Sequence, residues 1–78
     1  MDTTLSARIS LLGTTALLLE APGESSLPTQ QRIWALAREA AAWPEVGEAV
    51  PGMNNLMVTF AKAPRDWRAL ADRLRAAW

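Results

Sequence analysis

The alternation of apolar and polar side chains predicts two strands near the start of the chain. Between Ala7 and Leu11 every second residue is apolar, which is the period of a half-buried strand. Thr15–Glu20 is a nearly continuous apolar run, typical of a strand inside a sheet. Leu12-Gly13-Thr14 is a short connection, since Gly13 can adopt a positive φ. The pattern therefore predicts a β-hairpin.

Apolar residues spaced three and four positions apart predict two helices. The first covers Pro28–Trp43, with Ser26 as a candidate N-cap and Pro44 as its stop. The second begins at Ala63 or Pro64 and continues to the end of the sequence, because its amphipathic pattern is unbroken. The apolar stripe of the second helix consists of Trp67, Leu70, Ala71, Leu74, Ala77 and Trp78.

A second strand pair is predicted between the helices. Val46–Val50 and Leu56–Ala61 are the strand-like runs, and they are separated by Pro51-Gly52-Met53-Asn54-Asn55, whose composition is typical of a turn. The order of elements is therefore β-β-α-β-β-α.

This order predicts an α+β fold with a four-stranded, mainly antiparallel sheet and two helices on one face. A right-handed crossover through the first helix makes the second strand parallel to the third and leaves the fourth between them. The spatial order is then 1-2-4-3, a permuted ferredoxin-like arrangement.

With 78 residues, half of them hydrophobic, we expect one small domain over residues 1–78 that needs no metal or disulfide for its core.

The residue types exclude several kinds of chemistry. The chain has no cysteine and no histidine, which removes thiol nucleophiles, disulfides and the usual zinc ligands. Nothing in the pattern brings Glu20, Glu45 and Glu48 together as an acid/base pair, and no glycine-rich phosphate loop occurs. We expect no catalytic residue, no metal and no cofactor, so the chain is not predicted to be an enzyme on its own.

Charge is balanced overall but uneven along the chain. Residues 62–78 carry five basic and two acidic side chains, a mildly positive segment. Asp66 and Asp72 dilute its field, and no aromatic residues are interleaved in the manner of a nucleic-acid site, which favours a solvated helix face.

The apolar run Ile9–Leu19 is too short to span a bilayer, and Asp2 and the poor cleavage site at Leu19-Glu20-Ala21 argue against a signal peptide. We expect neither a nucleic-acid nor a membrane partner, and a cytoplasmic location.

Two features are candidates for contact with another protein. Pro51, Gly52, Met53, Asn54 and Asn55 form a turn with a flexible thioether and two amides, which can adapt to a partner, although Gly52 and an Asn can equally serve only the turn geometry.

The tryptophans give the second candidate, since four in 78 residues is a high number. Trp34 lies off the apolar stripe of the first helix, and Trp43 closes that helix. Either belongs to a contact patch, or all four tryptophans cover the edges of a small core.

Leu12–Leu18, Gln30–Leu36 and Val46–Phe60 resemble segments of the KipI/PxpB family, also described as allophanate hydrolase subunit 1 or carboxyltransferase subdomain C/D. Leu12–Leu18 is similar to its G-D-x-A-L opening, and Gln30–Leu36 to its N-x-R-V-x-x-L helix. Val46–Phe60 is similar to its V-x-E-x-V-P-G/S-Y-x-S-L-x-V-x-Y pattern and is the most specific of the three.

The chain departs from the family pattern at five positions. Thr14 stands where an acidic residue is usual, Met53 where Tyr is usual and Asn55 where Ser is usual. Phe60 lacks a hydroxyl group, and Ala61 replaces a common Asp. These differences are compatible with a diverged member of the family.

The resemblance implies an N-terminal α/β domain, which in the family is followed by a cyclophilin-like β domain that is absent from these residues. It implies a non-catalytic interaction module like the N-terminal domain of the B-type 5-oxoprolinase component, docking onto a partner that resembles the A-type or C-type component. The alternatives are an inhibitor of histidine kinase autophosphorylation, with the kinase as partner, and a stand-alone dimerising domain that pairs through its sheet edge.

Overall fold

A four-stranded sheet and two helices account for the regular structure of the part of the chain that the structure describes. The computed structural model describes residues 7–78. The first six residues of the expected domain lie outside that range. The elements are β1 (Arg8–Leu12), β2 (Ala16–Glu20), α1 (Leu27–Ala40), β3 (Val46–Gly52), β4 (Asn55–Phe60) and α2 (Trp67–Ala77).

The predicted topology is confirmed. The strands lie in the order β1-β2-β4-β3, and each neighbouring pair is antiparallel. Leu17 on β2 lies opposite Leu11 on β1 and Val58 on β4, so three strands contribute side chains to one row. Because β4 is antiparallel to both β2 and β3, these two strands are parallel to each other, as a crossover through α1 requires.

One face of the sheet forms the core. Its centre is apolar and fully buried, with Leu17 and Leu19 on β2 and Leu56 and Val58 on β4. Both helices pack their apolar stripes on this face. The helical residues that complete the core are Ile33, Leu36, Ala37, Ala40, Leu70, Ala71 and Leu74.

Among residues 7–78, no helix packs on the opposite face of the sheet. Leu18 on β2 lies opposite Met57 on β4, which lies opposite Val50 on β3, so a row of apolar side chains crosses three strands there. Leu18 and Met57 are half-buried and Val50 is exposed. The fold therefore has two layers, the sheet and the pair of helices, and the second face of the sheet is not covered by a helix.

The bounds of both helices differ from the predicted ones. Helix α2 begins at Trp67 rather than at Ala63 or Pro64, because the carboxylate of Asp66 caps it by accepting a hydrogen bond from the backbone N–H of Arg68 at 3.0 Å. Helix α1 ends at Ala40, three residues before the predicted end, and its N-cap is Ser26 as predicted. Within residues 7–78 neither helix has the length and apolar character that crossing a bilayer demands.

Strand β3 contains an irregularity that the pattern does not predict. Its register with β4 shifts between Val46 and Ala49, which is typical of a β-bulge. The hydroxyl of Thr59 accepts a hydrogen bond from the backbone N–H of Glu48 at 2.8 Å and so replaces a lost ladder bond. A Cβ atom at Gly47 would lie 2.9 Å from the same hydroxyl, which explains why glycine suits this position.

Candidate contact surface

The turn between β3 and β4 is held in place by Asn54. This residue has a left-handed backbone, with φ 64°, a conformation that Asn tolerates better than most residues. Its side-chain N–H₂ group donates to the carbonyl oxygens of Ala21 and Gly23, at 3.3 Å each. The backbone carbonyl oxygen of Asn54 accepts a hydrogen bond from the backbone N–H of Ala21 at 2.9 Å. The turn is therefore attached to the loop that leads from β2 to α1.

Gln30 links the same turn to helix α1. Its side-chain nitrogen donates to the carbonyl oxygen of Gly52 at 2.9 Å, and its side-chain oxygen accepts from the backbone N–H of Asn54 at 3.0 Å. One amide thus satisfies both backbone groups that flank Met53. These bonds are partly buried, which shields them from competition with water.

The fixed turn presents Met53 to solvent beside two apolar residues of α1. Met53 is 79% exposed, the largest value among the exposed large apolar side chains, and Leu27 and Trp34 are 63% and 47% exposed. Leu27, Gln30 and Trp34 recur at three- and four-residue spacing, so they share one face of the helix. Because Gln30 touches the turn, that face adjoins Met53. We call Leu27, Trp34 and Met53 the α1–turn surface.

The two candidates from the sequence therefore belong to one region. Trp34 and Met53 lie on the α1–turn surface, and Pro51 is exposed beside it. Gly52 and Asn54 offer backbone and side-chain groups to internal hydrogen bonds, while Asn55 is the first residue of β4.

Sequence reasoning missed Gln30 and Leu27. The signal that could have identified them was their spacing from Trp34, since the three residues fall on one stripe beside the buried one.

The other three tryptophans are less exposed than Trp34 and belong to the core or pack against it. Trp43 is 7% exposed and belongs to the core, so it is not part of an exposed patch. The guanidinium of Arg73 lies 4.1 Å from the centre of the Trp43 ring, and that of Arg32 lies 4.0 Å from the Trp78 ring. Trp67 and Trp78 pack against the core with partial exposure, as their place on the predicted stripe implies.

Two of the carboxylates that the sequence offered for acid/base chemistry, those of Glu20 and Glu45, are far apart. Glu20 ends β2 whereas Glu45 precedes β3, and these parallel strands place them at opposite ends of the sheet. All three glutamates considered above, including Glu48, are exposed. Within residues 7–78, no group of three or more acidic, histidine or cysteine side chains is arranged to hold a metal ion. The exposed groups at the α1–turn surface are apolar side chains beside amides, which suit contact with another protein.

Comparison with known proteins identifies a family and two relatives. Residues 7–78 match the family model described as "Carboxyltransferase domain, subdomain C and D". The chain is similar to the B-type component of 5-oxoprolinase from Escherichia coli O157:H7, with 39% identity over 72 residues that cover 92% of this chain and 33% of the relative. It is also similar to the B-type component of 5-oxoprolinase from Haemophilus influenzae, with 35% identity over 63 residues that cover 81% of this chain and 29% of the relative. The chain thus spans about a third of the length of these relatives.

Proposed function

The chain belongs to the carboxyltransferase subdomain C and D family, and from that premise we propose that it is a non-catalytic interaction module of a 5-oxoprolinase-like assembly. The resemblance inferred from Val46–Phe60 is confirmed by the family match. In this proposal the module contributes a docking surface, and the chemistry of the assembly resides on other polypeptide segments. Its partner is a protein like the A-type or C-type component of 5-oxoprolinase.

The observation that carries the proposal is the fixed presentation of Met53 beside Trp34. A contact residue on a preorganised backbone loses little conformational entropy on binding, which favours affinity. Gln30 and Asn54 provide that preorganisation through four hydrogen bonds of their side chains. Trp is enriched at the energetic centres of interfaces, and Met adapts its shape to a partner.

Isothermal titration calorimetry with an A-type or C-type 5-oxoprolinase component from the same organism tests the docking role. We expect Trp34→Ala to weaken binding by about tenfold or more, since the loss of a buried Trp contact costs at least about 1–2 kcal/mol. Met53→Ala should weaken it by a smaller factor. Leu12→Ala is the matched control, because Leu12 is 44% exposed but lies on β1 at the other edge of the sheet.

Two results would contradict the proposal. One is a folded Trp34→Ala variant that binds with unchanged affinity while Leu12→Ala binds more weakly, which would place the contact on the β1 edge. The other is ATP-dependent cleavage of 5-oxoproline by the isolated chain, which would show that the module is catalytic. Self-association measured by sedimentation and abolished by Leu12→Ala would identify a dimerising domain instead.

A further inference from the structure

A groove lies at the end of the sheet opposite the α1–turn surface. It has a volume of about 470 Å³ and runs between the start of α2, the segment 61–66 and the turn before β3. Its lining includes the apolar residues Phe60 and Leu70 and the prolines Pro44 and Pro64. The volume falls in the range of sites that bind drug-sized groups. Because the two prolines have restricted backbones, these parts of the lining are stiff.

The position of the groove is fixed by contacts between distant parts of the chain. The backbone N–H of Ala61 donates to the carbonyl oxygen of Glu45 at 2.9 Å, which joins the end of β4 to the turn before β3. Arg73 on α2 reaches the carboxylate of Glu45 at 3.5 Å and stacks on Trp43. The groove is therefore a consequence of the fold around α2 and the end of β4, and it is not a gap within one loop.

The charged groups around the groove are unequally engaged. Both acidic side chains have partners: Glu45 pairs with Arg73, and Asp66 caps α2. Lys62 and Arg65 are exposed, and within residues 7–78 neither makes an ion pair or a side-chain hydrogen bond. The groove thus combines apolar lining residues with two cationic groups available to a ligand.

We propose that this groove binds a short segment of a partner polypeptide in which an apolar side chain is flanked by carboxylates. The apolar side chain covers Phe60 and Leu70, and the carboxylates lie against Lys62 and Arg65. Two separate cations match two separate carboxylates, whereas Glu45 and Asp66 interrupt the positive field that a continuous phosphate backbone needs, which argues for a peptide and against a nucleic acid. Arg65 is suited to the task, since its planar guanidinium binds a carboxylate with two parallel hydrogen bonds.

The groove and the α1–turn surface are separate sites. Phe60 ends β4 at the groove and Asn55 begins β4 at the turn, so the length of the strand, about 17 Å, lies between them. A partner segment in the groove leaves Trp34 and Met53 free. The inference therefore does not depend on the proposed function, and each can fail without the other.

Nuclear magnetic resonance titration with the peptide acetyl-Glu-Leu-Glu-amide tests the groove. We expect the backbone signals of Lys62 and Arg65 and the indole N–H signal of Trp43 to shift, because Trp43 carries the stacked Arg73. The indole signal of Trp34 should not move. The uncharged peptide acetyl-Gln-Leu-Gln-amide should bind about fivefold more weakly or worse, since it keeps the shape but loses the ion pairs.

A double variant supplies the second arm of the test. Lys62→Gln combined with Arg65→Gln should weaken acetyl-Glu-Leu-Glu-amide by about five- to tenfold and leave the α1–turn surface intact. Arg8→Gln is the control, because Arg8 is exposed on β1 near the other end of the sheet. The proposal is overturned if no groove signal shifts up to about 5 mM peptide. Equal affinity for both peptides, or shifts confined to Trp34, would also overturn it.

Discussion

At the residue scale, the side chains of Asn54 and Gln30 decide the shape of the β3–β4 turn. The sequence left open whether Gly52 and an asparagine serve only the turn geometry or contact a partner, and Asn54 has the left-handed backbone that the turn role requires. It did not predict that Gln30 would hold the turn. Gln30 is separated from its partners by 22 and 24 residues, so no local pattern indicates the link. Only the packing of α1 on the sheet brings the amide to the turn.

Replacement of the side-chain NH₂ group of Gln30 by an oxygen tests this link. Gln30→Glu keeps an oxygen for the backbone N–H of Asn54 but sets a carboxylate oxygen against the carbonyl of Gly52, where a donor stood. We expect the free energy of unfolding to fall by about 1–2 kcal/mol in urea titrations. Gln31→Glu makes the same chemical change at an exposed neighbour and should alter stability by less than about 0.5 kcal/mol. Equal effects of the two substitutions would show that the amide contacts contribute nothing.

At the element scale, the strands were easier to predict than the ends of the helices. Period-two alternation and turn residues placed all four strands within about two residues of their observed bounds. The start of α2 was wrong by three or four residues because Pro64 is compatible with a first helical turn and the apolar spacing does not mark a boundary. The boundary is set by Asp66, whose side chain satisfies a backbone N–H that the helix leaves unpaired. The bulge at Gly47 was missed because it depends on Thr59 in the neighbouring strand.

The role of Asp66 as a cap can be measured directly. Asp66→Ala removes the acceptor for the N–H of Arg68, and we expect the free energy of unfolding to fall by about 1 kcal/mol. Asp72→Ala removes an equal charge from the same helix, where the carboxylate makes an exposed ion pair with Arg75 at 3.0 Å. Exposed pairs contribute little, so this control should lose less than about 0.5 kcal/mol. A larger loss from Asp72→Ala than from Asp66→Ala would contradict the capping role.

At the scale of the whole molecule, the topology followed from general rules. A right-handed crossover and a hairpin that returns beside its own strand leave few arrangements for β-β-α-β-β-α, and the order β1-β2-β4-β3 is one of them. The candidate site was predicted only as two separate parts, Trp34 and the turn at residues 51–55. Their assembly into one surface depends on where α1 crosses the sheet. The groove beside Phe60 was not predicted, since it forms between segments that are distant in sequence.

The division of the sheet into a core face and an open face gives a whole-molecule prediction. Leu56 is fully buried under the helices, whereas its neighbour Met57 points to the open side and is half-buried. Leu56→Ala should lower the free energy of unfolding by about 2–5 kcal/mol, and Met57→Ala by about 1 kcal/mol. Circular dichroism and tryptophan fluorescence should report the same midpoint, because one core serves both helices. Similar losses for the two variants would contradict the assignment of the faces.

The insertion of β4 between β2 and β3 has a consequence for biosynthesis. The apolar strand β2 is synthesised some 35 residues before β4, its inner neighbour. At ordinary translation rates this delay is about 2–7 seconds, during which one hydrogen-bonding edge of β2 is unpaired. Substitutions that weaken β4 lengthen the time for which β2 lacks its inner neighbour, and we expect them to reduce the yield of soluble product more than their effect on equilibrium stability implies.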